Sequence, residues 1–344
     1  VIWLDPENKN RELTRKLEGN YIEVGLNKNV INIFDLQPVS TDADEKESEE
    51  VMYDTKIAIK NVVEDVIIMF KTLWPNITED EINVLDEITE KTYRVVGIDG
   101  TESFRYLKPE DYPTFTTFSV VIDQMLEEYE NSSLKNKKVI EALLNLQMKM
   151  RSLVGTAGIE GHLSRYFNGT TNINMDSLDT IGLVSFGTKH LMNTPEHIRN
   201  ALLRIIFKYA WSNCLSTDEQ TVFVTDEDHT YIQNEPIAAL KAQFQRRARK
   251  YNTVTISGTQ QVRDYCDEKI LTYGRAIFEN STYQMYFHMY KSSISELSQL
   301  IMLTDQEKEQ LVNLPPYTCL TEVGNRKIPI RVLLTDDEDR LIGK

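Results

Sequence analysis

Between Ile181 and Ser257 the sequence alternates short apolar runs with long helical repeats, and that alternation leaves few folds open. Ile181–Phe186, Thr221–Thr225 and Val254–Ser257 read as strands, with helices over Pro195–Asn213 and Pro236–Tyr251 between them. Strands separated by helices of this length pair in parallel, each helix crossing over one face of the sheet. The first residues have the same character: strand Val1–Leu4, a helix near Asn10–Leu17, and strands Tyr21–Val24 and Val30–Phe34. Near the C-terminus, Tyr317–Val323 and Lys327–Leu334 flank Gly324-Asn325 and predict a hairpin.

In between, the period changes. An acidic stretch, Asp42-Ala43-Asp44-Glu45, leads into a helical block. Ile59, Val62, Val63, Val66, Ile67 and Phe70 recur at spacings of three and four, which is one face of a helix. Thr78-Glu79-Asp80-Glu81 has the pattern of a capping box that opens the next helix, with Ile82, Leu85 and Ile88 on its inner side. Phe118, Val121, Ile122, Met125 and Leu126 mark a third helix, and Val139–Met150 a fourth. No strand is expected in this block. The reading is therefore an α/β chain: a mostly parallel sheet flanked by helices, formed by residues 1–41 and 162–344, with an all-helical insert over 42–161.

At 344 residues with 41% hydrophobic content, the chain can bury a sizeable core. No apolar run approaches the roughly 20 residues that span a bilayer. Cys214, Cys266 and Cys319 are far apart and lack metal-ligand spacing, which fits free thiols in a reducing compartment. The net charge of −15 argues against a broad nucleic-acid-binding face, which needs a basic surplus, and is compatible with protein partners.

The sharpest chemical signal is Thr221-Val222-Phe223-Val224-Thr225-Asp226-Glu227. A short apolar strand ends in two adjacent carboxylates, and ligands of open parallel sheets bind beyond the carboxyl ends of strands. The first acid can hold Mg²⁺, often through water, and the second can polarise an attacking water, as in the Walker B arrangement of phosphoryl-transfer ATPases. The next strand ends in Gly258-Thr259-Gln260-Gln261, whose Thr-Gln could meet a terminal phosphate or its water. Between the two strands, Arg246-Arg247-Ala248-Arg249-Lys250 clusters at a helix C-terminus. Cations there complement the helix dipole, and one arginine could also complete a catalytic site, in its own chain or a neighbour's.

The ordered set Asp5-Pro6-Glu7, Ile31-Asn32-Ile33-Phe34-Asp35-Leu36, Gly161 to Asn168-Gly169 with Arg165-Tyr166-Phe167 between, Asp226-Glu227, Arg246-Arg247-Ala248-Arg249-Lys250-Tyr251 and Thr259-Gln260 resembles the VirB-four/TraC conjugal-transfer ATPases. These belong to the HerA/FtsK branch of RecA-like motors, and the similarity covers nearly the whole chain. The resemblance implies a RecA-like α/β domain interrupted by a helical one. It implies ATP hydrolysis with Mg²⁺, driving machine assembly or substrate transfer in type IV secretion. Asp226 would be the magnesium carboxylate, acting through water, and Glu227 the catalytic base. Gln260 would sense the nucleotide, one of Arg246, Arg247 and Arg249 would act as an arginine finger, and Asp5, Glu7 and Thr259 would border the nucleotide. Implied partners are copies of the chain itself, up to a hexamer, and inner-membrane and other secretion-channel subunits. The implied location is cytoplasmic, peripheral at the inner face of the bacterial cell membrane.

Two departures stand out. Ile33 replaces the family's usual proline, which alters a loop. No Gly-x-x-x-x-Gly-Lys-Ser/Thr occurs, and Gly187-Thr188-Lys189 lacks the required first glycine. In the family that phosphate loop precedes the strand matching Val1–Leu4, so these residues are expected to start downstream of it. By themselves they are expected to bind ATP weakly or not at all and not to hydrolyse it, because Asp226 and Glu227 face the cleft with no compensating cation. Two other functions remain open: a DNA-translocating HerA/FtsK-like motor, which the charge disfavours, and a non-hydrolysing docking or scaffold subunit. A metal triad of Asp226, Asp228 and His229 has no identifiable further ligands.

Overall fold

The computed structural model describes residues 1–25, 29–40, 51–132, 136–173, 182–215, 220–324 and 326–342. The acidic stretch 42–45, Ile181 of an expected strand and Asn325 of the expected turn lie outside them. In chain order the chain opens with β1 (Ile2–Asp5), α1 (Arg11–Lys16), β2 (Asn20–Glu23), β3 (Val39–Ser40) and β4 (Val51–Met52). The helical block follows as α2 (Thr55–Leu73), α3 (Glu79–Val95), α4 (Phe115–Asn131) and α5 (Lys137–Leu153). Next come β5 (Gly155–Thr156), β6 (Ile159–Glu160), α6 (Ser164–Phe167), β7 (Val184–Gly187), α7 (Glu196–Ser212) and β8 (Thr221–Thr225). The rest is α8 (His229–Ile232), α9 (Glu235–Arg247), β9 (Thr253–Ser257), α10 (Leu271–Glu279), β10 (Tyr283–Tyr286), α11 (Lys291–Leu297), α12 (Asp305–Val312), β11 (Thr318–Val323), β12 (Arg326–Arg331) and α13 (Asp336–Ile342). The chain divides into two compact units, one of residues 1–21, 177–186 and 218–344, the other of residues 22–176 and 187–217.

The main sheet has the order β2-β7-β1-β8-β9. β1 runs parallel to β8, with Ile2 opposite Phe223 and Leu4 opposite Thr225. β8 runs parallel to β9, with Thr221 opposite Thr253 and Thr225 opposite Ser257. Ile2, Leu4 and Phe223 are buried, as the inner strands of a helix-covered parallel sheet should be. Three carboxyl ends therefore finish side by side, at Asp5, at Asp226 and at Gly258. The C-terminal hairpin forms with Val323 opposite Arg326. It gains a third strand, β10, antiparallel to β11. Periodicity alone misses β10: Tyr283 and Met285 point to solvent with large apolar side chains, which hides the inward alternation.

In the second unit the expected capping box is present. Thr78 Oγ1 accepts the Glu81 N–H at 3.2 Å, and a Glu81 carboxylate oxygen accepts the Thr78 N–H at 2.8 Å. Phe70 of α2 meets Phe115 and Phe118 of α4 at centroid distances of 6.3 and 6.0 Å, and Phe34 joins them at 5.0 and 5.8 Å. The helical block is not free of strands. It closes on the β5–β6 pairing, whose turn residues Ala157 and Gly158 both have positive φ, 50° and 81°, as a two-residue hairpin requires.

The strand expected over Val30–Phe34 does not form. Side chains take the backbone groups that a ladder would use. Val30 N–H donates to Asn172, Asn32 N–H to the Thr171 hydroxyl at 2.7 Å, and Phe34 N–H to the Asn32 side chain. Asn32 then donates its own amide to the Pro113 carbonyl at 2.8 Å. An asparagine that bonds its own backbone two residues on makes a turn, and a run of apolar residues does not override it.

That turn delivers Asp35 to the interior, 8% exposed, with Oδ1 lacking a hydrogen-bond partner. Burial pushes its carboxyl up to about 7, against hydrogen bonds from Thr171 and Asn32 that favour the ionised form. Arg204 and Lys208, two cations of the same unit's interior, pair with Asp65 instead. A folded pKa above the unfolded one makes Asp35 stabilising at acid pH, and that contribution is lost as pH rises from the ordinary carboxylate range to about 7. Asp35→Asn has no proton to lose. Its stability relative to the parent should rise between about pH 4 and pH 7 and level off above, at about 1.4 kcal/mol per pH unit as a ceiling. Thermal unfolding of both proteins across that range reads the difference, and a difference independent of pH would contradict the buried-carboxyl account.

Candidate active site

The three strand ends organise the site, each in its own way. Asp5 is fully buried and turns inward, accepting the N–H of Glu7 at 3.2 Å and of Asn10 at 2.7 Å. It shapes the loop between β1 and α1. Asp226 continues the ladder for one residue, its N–H donating to the Leu4 carbonyl at 3.1 Å. Its Oδ1 accepts the Glu227 N–H at 2.9 Å, and its second oxygen has no hydrogen-bond partner among the described residues. Gly258, at the tip of β9, passes close by: a Cβ there would stand 3.4 Å from Asp226 Oδ1.

Glu227 takes a left-handed backbone, φ 44°, which a non-glycine residue adopts only under constraint. Its side chain is buried, and its Oε1 accepts Gln260 Nε2–H at 2.5 Å. Lys9 Nζ stands 3.7 Å from the same oxygen, and His229 Nδ1 stands 3.5 Å from Oε2. Thr259 Oγ1 and Gln261 Nε2 lie 3.5 and 3.3 Å from the two nitrogens of the His229 ring. The adjacent acid pair and the neighbouring Thr-Gln are thus brought together. Lys9 corrects the expectation that the carboxylates lack a cation. Its hydrogen bond to Glu7 holds the Lys9 ammonium above its ordinary pKa, with the fields of Glu7, Glu227 and Asp226 adding to it. Glu7 reaches the site through this lysine.

Behind Glu227 lies a network that sequence reasoning missed. Asp228 is fully buried and binds the Lys241 ammonium of α9 and the Tyr265 hydroxyl. Lys241 also donates to Thr225 Oγ1 at 2.7 Å, and the Asp228 N–H donates to the Gly258 carbonyl at 2.8 Å. Burial pulls Lys241 below its ordinary pKa against the attraction of Asp228, and pushes the Tyr265 hydroxyl well above its own. Gly274 lets α10 approach, since a Cβ there would meet the Tyr265 carbonyl at 2.3 Å. The signal was present in the sequence. Lys241 stands four residues after Ile237 and three before Phe244, on the stripe that α9 buries. With Asp228 held this way, the imagined Asp226–Asp228–His229 metal triad is not available, and no cluster of three such ligands occurs among the described residues.

The arginines are not brought to the carboxylates. Arg246 and Arg247 end α9, and Arg249 lies in the 3₁₀ turn Ala248–Tyr251 that leads into the start of β9. A crossover helix returns to the amino end of the next parallel strand, and Gln260 follows the carboxyl end, roughly 16 Å along the five-residue strand. Arg246 and Arg249 are exposed. Within one chain this geometry leaves no route from them to Glu227.

The donor chemistry at the strand ends suits a hard cation. Oxygen ligands dominate, with a free carboxylate oxygen on Asp226 and a second carboxylate beside it. Glu227, hydrogen-bonded to Gln260 and beside His229, is a carboxylate that can take a proton from a water held next to it.

Comparison with known proteins bears on the fold. No protein-family profile and no curated protein sequence matches the chain. Among solved structures, the VirB4 of Thermoanaerobacter pseudethanolicus superposes with a TM-score of 0.80 at 22% identity, covering 98% of this chain and 82% of that one. The plasmid coupling protein TrwB in complex with the ATP analogue ADPNP matches at 0.49 and 11% identity, over 97% of this chain and 85% of that one. TrwB with ADP and Mg²⁺ matches at 0.45 and 14%, over 97% and 84%. The chain has a mostly parallel sheet flanked by helices, and over nearly its whole length this is the α/β fold of that VirB4 structure.

Proposed function

We propose that this chain is the ATP-hydrolysing part of a type IV secretion or conjugation motor. The observation that carries the reading is the meeting of Glu227 and Gln260, from the ends of adjacent parallel strands, beside an Asp226 with a free oxygen. The motif order in the sequence and the likeness of fold to VirB4 support it further.

In this reading Asp226 would hold Mg²⁺, which when bound would offset the charge of the terminal phosphates. Glu227 takes a proton from the attacking water onto a carboxylate oxygen. Gln260 orients that carboxylate, and in the presence of a terminal phosphate its amide can turn to it. Lys9 lowers the repulsion between the acids and an incoming triphosphate. The products are ADP and phosphate. Because the arginines sit at the far end of their own sheet, a finger among Arg246, Arg247 and Arg249 would act on a neighbouring copy, which makes the working form an oligomer. Binding to membrane-embedded channel subunits would hold that oligomer at the inner face of the membrane; no helix among the described residues is long and apolar enough to cross one.

Two measurements on the longest natural chain containing these residues test the reading. Glu227→Gln should keep ATP affinity and lose turnover by ~10²–10⁴-fold, the usual contribution of a positioned base. Unchanged phosphate release would remove Glu227 from the chemistry. Alanine at the responsible arginine should also abolish turnover without loss of binding, a finger contributing ~10³–10⁵-fold. Mixing that variant with Glu227→Gln should restore part of the activity, since each supplies what the other lacks. Full activity of Arg246→Ala, Arg247→Ala and Arg249→Ala alike would end the trans-finger hypothesis.

A further inference from the structure

The second unit holds a cleft that the proposed hydrolysis does not use. It lies between α2 and α7 beside the irregular segment 31–38, a cavity of about 70 Å³ that opens to solvent. Val62 and Met69 of α2 and Ala201 and Ile205 of α7 give it apolar walls, and Asn61 and Asp35 are among its polar groups. Apolar walls with a few convergent polar groups are the usual lining of small-molecule sites.

Asp35 sets what such a site would take. It is more than nine-tenths buried, and its Oδ1 has no hydrogen-bond partner. Buried carboxyl oxygens are normally paired, so an orphan one on a residue that lines the cleft can take a donor from outside. No cation among the described residues pairs with it. Arg204 and Lys208, on the same walls, converge on Asp65, Arg204 at 3.0 Å. The other titratable groups that act on this interior, Tyr93 and Tyr112, are neutral phenols. A carboxyl turns about its Cβ–Cγ bond over a broad range, so either oxygen can be presented to the cleft.

We propose that this cleft is a binding site for a small organic ammonium, its charge on the Asp35 carboxylate and its hydrocarbon body against Val62, Met69, Ala201 and Ile205. A charge-assisted hydrogen bond would satisfy the orphan oxygen and replace a proton that the buried carboxyl otherwise holds. A carboxylate ligand of the same size would meet Asp35 as a like charge. The site stands apart from the proposed hydrolysis: its lining contains none of Asp226, Glu227 and Gln260.

The test uses phenethylamine and phenylacetate as probes of matched size on the intact protein, read by ligand-observed NMR and calorimetric titration. The amine should bind at millimolar concentration or below and phenylacetate should not. Asp35→Asn, which keeps the shape of the side chain and removes the charge, should weaken the amine at least about tenfold. Thermal unfolding verifies that the variant is folded, and the selectivity of the unaltered protein between the two probes does not depend on it. Absence of amine binding at millimolar concentration, equal binding of both probes, or equal amine binding by folded Asp35→Asn would each overturn the proposal.

Discussion

The buried pair of Asp228 and Lys241 is the interaction on which the candidate active site depends. Two charges removed from water are costly unless each is held by the other and by further hydrogen bonds, and here both conditions are met. Tyr265 satisfies one carboxylate oxygen, Lys241 the other, and the lysine also reaches Thr225. Together they join the end of β8, the middle of α9 and the 3₁₀ turn Val262–Cys266 that follows β9. Glu227 lies between Asp226, which extends the strand, and this anchor. With Asp226 tied to Leu4 on one side and Asp228 tied to Gly258 on the other, its left-handed backbone is imposed by its neighbours. Losing one member of the pair would leave an uncompensated charge in the core, so the orientation of Glu227 and the stability of this unit are coupled.

Buried acids mark the second unit as well, and the three main ones are handled differently. Glu81 caps its own helix and pairs with Lys149, and the cap and the lysine hold its carboxyl below the ordinary value despite the opposing effect of burial. Asp65 draws both Arg204 and Lys208 of α7 and so ties that helix to α2. Asp35 has neither a cap nor a cation, and its carboxyl rises to about 7. The first two are explained by the fold that they stabilise. Asp35 is not, and an orphan carboxyl oxygen on a cleft wall is more informative than any of the satisfied ones.

Much of this was legible in the sequence, for physical reasons. β8 and β9 could be read because both are short apolar runs bounded by helices, and a parallel sheet then fixes which ends meet. The helical block could be read because its apolar faces repeat at three and four and Thr78 supplies an explicit start. The sequence misled at Val30–Phe34, where Asn32 competes for the backbone, and was silent at β10, whose outward face is as apolar as its inward one. At the site, the residues on strand ends were found and those reaching in from elsewhere were not. Lys9, Lys241 and Tyr265 act through tertiary distances that no spacing rule contains, although a lysine on the buried stripe of α9 was a warning. The arginines show the converse. Their clustering suggested catalysis, and the crossover, which returns to the amino end of the next parallel strand, carries them to the opposite end of the sheet from Glu227.

The central claim is that the carboxyl ends of β1, β8 and β9 form a nucleotide-hydrolysing site. The most direct measurement is a crystal structure of the longest natural chain containing these residues, with Mg²⁺ and a non-hydrolysable ATP analogue. The account expects Mg²⁺ bound to Asp226 through a water, and the terminal phosphate facing Glu227 and Gln260. Nucleotide density elsewhere in the molecule, with Asp226 and Glu227 left facing solvent alone, would contradict it.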